Sequence, residues 1–92
     1  MDMSGFVKFL QQQGLTPNGI NSRIRRIGSI EEILGADMDY VVSNDDRMYD
    51  ALVKLQDHED PKHNPMQNVL RKYYTFMRGK EFPRKSSYSR GR

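Results

Sequence analysis

The sequence predicts an all-α fold, a compact bundle of four to five short helices with a flexible basic C-terminal tail. Apolar residues in several segments recur at steps of three and four, which places them on one side of a helix. Residues that start and stop helices stand at the ends of these segments, as at Thr16-Pro17, Gly35 and Asn64-Pro65. The 92 residues contain no cysteine, so one small core must form without disulfides. We assign the helical domain to residues 1–78 and the tail to residues 79–92.

The first helix is predicted over residues 4–13, with Ser4 as its cap and Gly14 at its end. Phe6, Phe9 and Leu10 form its buried edge.

The second helix follows Thr16 and Pro17 and ends at Gly35. Its apolar stripe and its arginines lie on different sides of the helical wheel, so the arginines are expected to face outward. Ser29 and Glu32 have the spacing of a capping box, so a kinked pair of helices is the alternative to one continuous helix. The stripe consists of Ile20, Ile24, Ile27, Ile30 and Leu34.

The remaining helices are predicted in the second half of the chain. Residues 36–42 favour a single helical turn capped by Asp37 or Asp39, with a short strand as the alternative. A longer helix opens at Asn44 or Asp45. The last helix runs from Pro65 to about residue 77, with Gln67 in the reciprocal capping position. The inward residues of these two long helices are Met48, Leu52, Leu55, Met66, Val69, Leu70, Tyr73, Phe76 and Met77.

Charges of opposite sign are segregated along the sequence. Residues 1–30 carry a net charge of +3, residues 31–60 of −8 and residues 61–92 of +8. If the first and last long helices pack together, their basic residues form one surface, and the acidic middle lies on another. Concentrated basic charge attracts polyanions, and the same pattern also arises on solvated helix faces.

The apolar positions and turns resemble the N-terminal core-binding domain of tyrosine recombinases and phage integrases, a SAM-like helical module found in phages and mobile elements. The resemblance spans residues 6–76. The family usually has Thr-Ile at the start of its second helix, where this chain has Gly19-Ile20. The resemblance is carried by Phe9-Leu10, Gly14-Leu15-Thr16, Ile20, Ile24, Ile27 and Val69-Leu70-Arg71-Lys72-Tyr73-Tyr74-Thr75-Phe76.

The resemblance implies non-catalytic binding of duplex DNA, mainly through phosphate contacts, because the family's module contacts the duplex while a separate domain cleaves it. Tyr73 and Tyr74 are therefore not interpreted as nucleophiles, and their helical spacing with Leu70 and Phe76 predicts that at least one of them is a core residue. The tail adds basic charge, and its Phe82 and Tyr88 could stack on exposed bases. Base edges would be read by an arginine or by Asn18, Asn21 or Ser22. The candidate DNA-binding residues are Arg23, Arg25, Arg26, Arg71, Lys72, Arg78, Lys80, Arg84 and Lys85, with Arg90 and Arg92 further along the tail.

The alternative function is a protein interaction module or small inhibitor, with a protein partner or a second copy of the chain bound at its acidic or apolar helix surface. The acidic residues of that surface are Asp37, Asp39, Asp45, Asp46 and Asp50.

Other kinds of chemistry find little support in the sequence. His58 and His63 lie among carboxylates in a loop, but their spacing matches no metal-binding pattern. We therefore expect no enzyme activity, no cofactor and no metal. The absence of cysteine, of a basic leader and of a long apolar run leads us to expect a cytoplasmic protein that does not bind membranes.

Overall fold

The computed structural model describes residues 1–89, and within them the chain is an all-α bundle. This confirms the predicted fold class. The helices are α1 (Met3–Gln12), α2 (Pro17–Leu34), α3 (Met38–Val42), α4 (Asp45–Gln56) and α5 (Pro65–Arg78), followed by a 3₁₀ turn at Lys85–Ser87.

Several predicted helix ends are confirmed. The Thr16 hydroxyl accepts a hydrogen bond from the Gly19 amide at the start of α2, and Gly35 ends the helix with a φ of 65°. Asp37 and Asn44 cap α3 and α4 in the same way. The segment around residues 36–42 is thus a helical turn and not a strand.

Other ends differ from the prediction. Helix α1 begins before Ser4, because the Asp2 carboxylate accepts from the Gly5 amide and caps the helix at Met3. Helix α2 is one uninterrupted helix through Gly28, so the kinked alternative is not adopted.

The start of α5 also differs. Asn64 makes no side-chain capping bond there. The carboxylate of Glu59, in the preceding loop, accepts from the amides of Met66 at 2.6 Å and Gln67 at 3.1 Å. A carboxylate is well placed at the positive end of a helix dipole. Glu59 therefore takes the capping role that the sequence assigned to Asn64 and Gln67.

Helix α5 is the centre of the bundle, since it contacts each of the other four helices. Tyr73 and Tyr74 are 0% and 1% exposed, so both are core residues, where the spacing predicted at least one. The predicted buried edge of α1 is present, with Phe6 and Leu10 fully buried and Phe9 half-buried against them.

The tail is corrected by the structure over its described part. Residues 80–89 pack on the bundle, and we call this segment the strap. Phe82 is only 4% exposed, and its ring packs edge-on against the Tyr74 ring with 5.1 Å between the ring centroids. Lys85 donates to Gln56 and Gln67, each at 2.6 Å. The sequence did not predict this attachment, because the segment is polar on average. It is held by one buried aromatic ring and a few hydrogen bonds.

Candidate functional site

A groove of about 420 Å³ lies between α1, α2, α5 and the strap. Four of its lining side chains are cationic, namely Arg23, Arg71, Lys72 and Arg84, and one, Glu81, is anionic. The four cations come from three separate parts of the sequence. The packing of α5 against α2, together with the attachment of the strap, brings them to one place.

Arg23 forms the α2 side of this basic groove. Its Nη1 atom donates to the carbonyl oxygen of Gly19 over 3.0 Å, so the side chain lies back along the preceding turn. The Gly19 position is close to this guanidinium, since a Cβ built there would lie 3.5 Å from Arg23 Nη1. The guanidinium is thereby held at the groove, and it forms no ion pair with any residue of the described range 1–89.

Arg71 is the most enclosed cation of the groove. Its Nη1 donates to the carbonyl oxygens of Phe82 at 3.0 Å and Pro83 at 3.2 Å, and its guanidinium lies 5.8 Å from the centre of the Phe82 ring. Burial lowers the pKa of Arg71, and the charge of Glu81 acts in the opposite direction. An arginine keeps its charge under such a shift, because its pKa starts far above neutral pH.

The remaining two cations are more open. The Lys72 ammonium donates to the side-chain oxygen of Gln13 over 2.7 Å, which ties α5 to the end of α1. Arg84 is exposed on the strap. Within residues 1–89, no carboxylate lies within 4 Å of any of the four groove cations, since the ion pairs there involve other groups. Arg23, Arg71 and Lys72 donate to neutral oxygens.

A second, smaller groove of about 250 Å³ continues the basic surface. Arg23 and Asn68 line both grooves, and Arg26 and His63 line the second one. The result is a strip of cationic side chains along α2 and α5.

The other predicted DNA-binding residues lie elsewhere. Arg78 donates to the carbonyl oxygen of Val42 at 2.9 Å and pairs with Asp45 at 3.3 Å. Lys85 is occupied by two glutamines, and burial lowers its pKa, with the charge of Arg71 acting in the same direction. Arg25 and Lys80 are exposed but line neither groove. Arg90 and Arg92 fall outside the described residues.

The tail aromatics do not offer free faces for stacking on bases. Phe82 is buried, and Tyr88 stacks on Tyr49 at 5.2 Å. The expectation that they would stack on a single strand is therefore corrected.

The acidic residues of the alternative surface mostly bond within the bundle. Tyr73 donates to Asp39, Tyr74 donates to Asp45 over 2.8 Å, and Tyr88 donates to Asp46. Asp37 caps α3. The carboxylates of Asp39, Asp45 and Asp46 thus join α3 and α4 to α5 and the strap.

Some groove residues were not found from the sequence. Asn68 lies one helical turn before Arg71 and Lys72, and Thr75 lies one turn after them. This i, i+3, i+4, i+7 spacing places all four on one face of α5 and could have been read from the sequence. Glu81 and Gln13 gave no such signal, because their positions depend on the strap and on the end of α1. Of the loop carboxylates considered as metal ligands, Glu59 caps α5.

In comparisons with known proteins, no family model, curated protein or solved structure matches the chain. Among the helices of residues 1–89, none has both the length and the apolar character needed to cross a bilayer.

Proposed function

We propose that this protein is a non-catalytic DNA-binding module that holds duplex DNA mainly by its phosphates. The basic strip would contact the backbone through Arg23, Arg71, Lys72 and Arg84 in the larger groove and through Arg26 in the smaller one. The resemblance to the integrase core-binding domain points in the same direction.

The proposal rests on one observation, that the groove cations form no ion pair with a carboxylate of the described residues. Basic side chains on a protein surface are often neutralised by nearby carboxylates, and Arg78 is an example in this chain. Within residues 1–89 the four groove cations form no ion pair, and three of them, Arg23, Arg71 and Lys72, donate to neutral oxygens instead. Their positive charge is therefore available to an external anion. With four cations and one carboxylate, the groove has a net positive charge, and such charge in a concave site focuses the field on that anion.

A phosphate backbone suits this site better than a small anion. The cations extend along two helices and continue into the second groove, so they can contact successive phosphates. Arginine guanidinium groups also match the geometry of phosphate oxygens and bind them with two parallel hydrogen bonds. Asn68, exposed between the two grooves, is the polar side chain best placed to reach a base edge.

The alternative, a protein interaction module acting through its acidic surface, has weaker support. Most of the carboxylates assigned to that surface are hydrogen-bonded inside the bundle.

Salt dependence provides the first test of the proposal. Five phosphate contacts imply a slope of about −4.5 when log affinity is plotted against log salt concentration. We expect such a slope for a duplex of mixed sequence measured by fluorescence anisotropy. A flat dependence would contradict phosphate-directed binding.

Matched double variants provide the second test. Arg23→Gln with Arg84→Gln removes two groove cations, whereas Arg25→Gln with Lys80→Gln removes two exposed cations from the same helix and the same strap. The net charge changes equally in both. We expect the groove pair to lose affinity at least about tenfold more than the control pair and to flatten the salt slope by about 1.8, because two phosphate contacts are lost. Equal losses would show that only net charge matters and would reject the groove as the site.

A further inference from the structure

One carboxylate, that of Glu81, lies among the groove cations. Glu81 lines the larger groove together with Arg71 and Arg84, and it is the first acidic residue of the chain after Asp60. Its side chain is exposed, and no carboxylate oxygen of it lies within 4 Å of a basic nitrogen in the described part of the chain. It is near enough, however, for its charge to raise the pKa of Arg71 against the effect of burial.

The position of Glu81 is set by its neighbour in the strap. Phe82 is buried, and its carbonyl oxygen accepts from Arg71, so the backbone next to Glu81 is fixed beside that guanidinium. The two bonds from Arg71 to the strap both use Nη1. A guanidinium has five N–H donors, so the rest of the Arg71 fork is left for an oxyanion in the groove.

We infer that the Glu81 carboxylate competes with a DNA phosphate for the groove cations and so limits the affinity of the basic strip. This inference rests on the proposed function and describes how the same site is regulated. A bound phosphate would lie within a few ångströms of the Glu81 carboxylate and would be repelled by it. Bending the exposed side chain out of the groove relieves the repulsion, so binding is weakened and not abolished.

The charge-matched variants Glu81→Gln and Glu32→Gln test the inference. Glu32 is exposed on α2, nine residues from Arg23, and nine steps of 100° place it on the opposite side of that helix. Both substitutions raise the net charge by one. Neither side chain makes a hydrogen bond or ion pair within the described residues, so both variants are expected to fold.

We expect Glu81→Gln to bind a mixed-sequence 20-base-pair duplex about three- to tenfold more tightly than Glu32→Gln in low salt. The difference should shrink as salt approaches 0.5 M, because screening weakens interactions between exposed charges. Glu81→Asp, which keeps the charge, should remain close to the wild type.

The outcomes separate the inference from the proposal beneath it. If the wild type binds with a steep salt dependence but Glu81→Gln and Glu32→Gln gain equally, competition by Glu81 is rejected and the basic strip stands. If the wild type shows no salt-dependent binding, the proposed function itself fails. A larger gain for Glu81→Gln than for Glu32→Gln supports the inference.

Discussion

The phenol of Tyr74 on α5 donates a 2.8 Å hydrogen bond to Asp45, the first residue of α4. The same carboxylate oxygen lies 3.3 Å from the guanidinium of Arg78. The acidic start of α4 is thus bound to the C-terminal half of α5, with Arg78 about two helical turns beyond Arg71. This contact removes Arg78 from the predicted DNA surface and leaves the groove without an acidic neighbour from α4.

Alkaline pH should destabilise the fold through the buried tyrosines. Burial raises the pKa of Tyr74 and of Tyr73, and their bonds to Asp45 and Asp39 act in the same direction. In the unfolded chain the phenols ionise near pH 10, whereas in the fold they stay protonated. The unfolded state then binds fewer protons, so the free energy of unfolding falls as pH rises above about 10. Urea unfolding at pH 8 and pH 10.5 measures this change.

The variants Tyr73→Phe and Tyr74→Phe are the control for that experiment, because phenylalanine has no ionisable group. Each should lose less stability than the wild type between the two pH values. At pH 8, Tyr74→Phe should cost about 1 kcal/mol for the lost hydrogen bond. A wild type and variants with the same pH dependence would contradict the prediction.

Gly28 offers a stabilising substitution in the middle of α2. A Cβ added there meets no atom within 4 Å, and the residue has no positive φ. Gly28→Ala should therefore raise the free energy of unfolding by up to about 1 kcal/mol, through the higher helix propensity of alanine. Gly35→Ala is the contrasting variant, since its φ of 65° is strained for alanine, and it should be destabilising. Thermal unfolding followed by circular dichroism distinguishes the two. A stabilised Gly35→Ala would contradict this account.

Glu59 should be needed for the start of α5. Its carboxylate accepts from two free amides at the helix terminus. Glu59→Ala should lower the free energy of unfolding by about 1 to 2 kcal/mol, which is the usual effect of losing a cap. Asp57→Ala, an exposed acidic residue of the same loop, is the control and should stay within about 0.5 kcal/mol of the wild type. Chemical denaturation measures both, and similar losses would rule out a specific capping role.

The strap should detach when its aromatic anchor is removed. Phe82→Ala leaves a cavity beside Tyr74 and should make the strap sensitive to trypsin after Lys80 and Arg84. Met77→Ala should keep the cleavage rate of the wild type, because the Met77 side chain, which the spacing predicted to face inward, is 46% exposed. Mass spectrometry of short digests locates the cuts. Equal cleavage in both variants would show that Phe82 does not hold the strap.

Local patterns were sufficient to predict most of the helices. The step of three and four residues identified α2, α4 and α5, and short-range caps at Thr16, Asp37 and Asn44 marked helix starts, because such a cap involves only atoms a few residues apart. The predicted cap was wrong where the capping side chain came from outside the usual cap position or was one of several nearby candidates. Glu59 replaced Asn64 as the cap of α5, and Asp2 replaced Ser4 as the cap of α1.

The sequence by itself determined the helical class, the core faces and the separation of positive from negative charge along the chain. Only the tertiary structure decided which charges meet. Arg71 and Arg78 are two helical turns apart on α5, yet one lies in the groove and the other pairs with Asp45. The physical reason is that helix periodicity depends on neighbours along the chain. The contacts of a flexible arginine or of the polar strap depend instead on atoms that packing brings from distant segments.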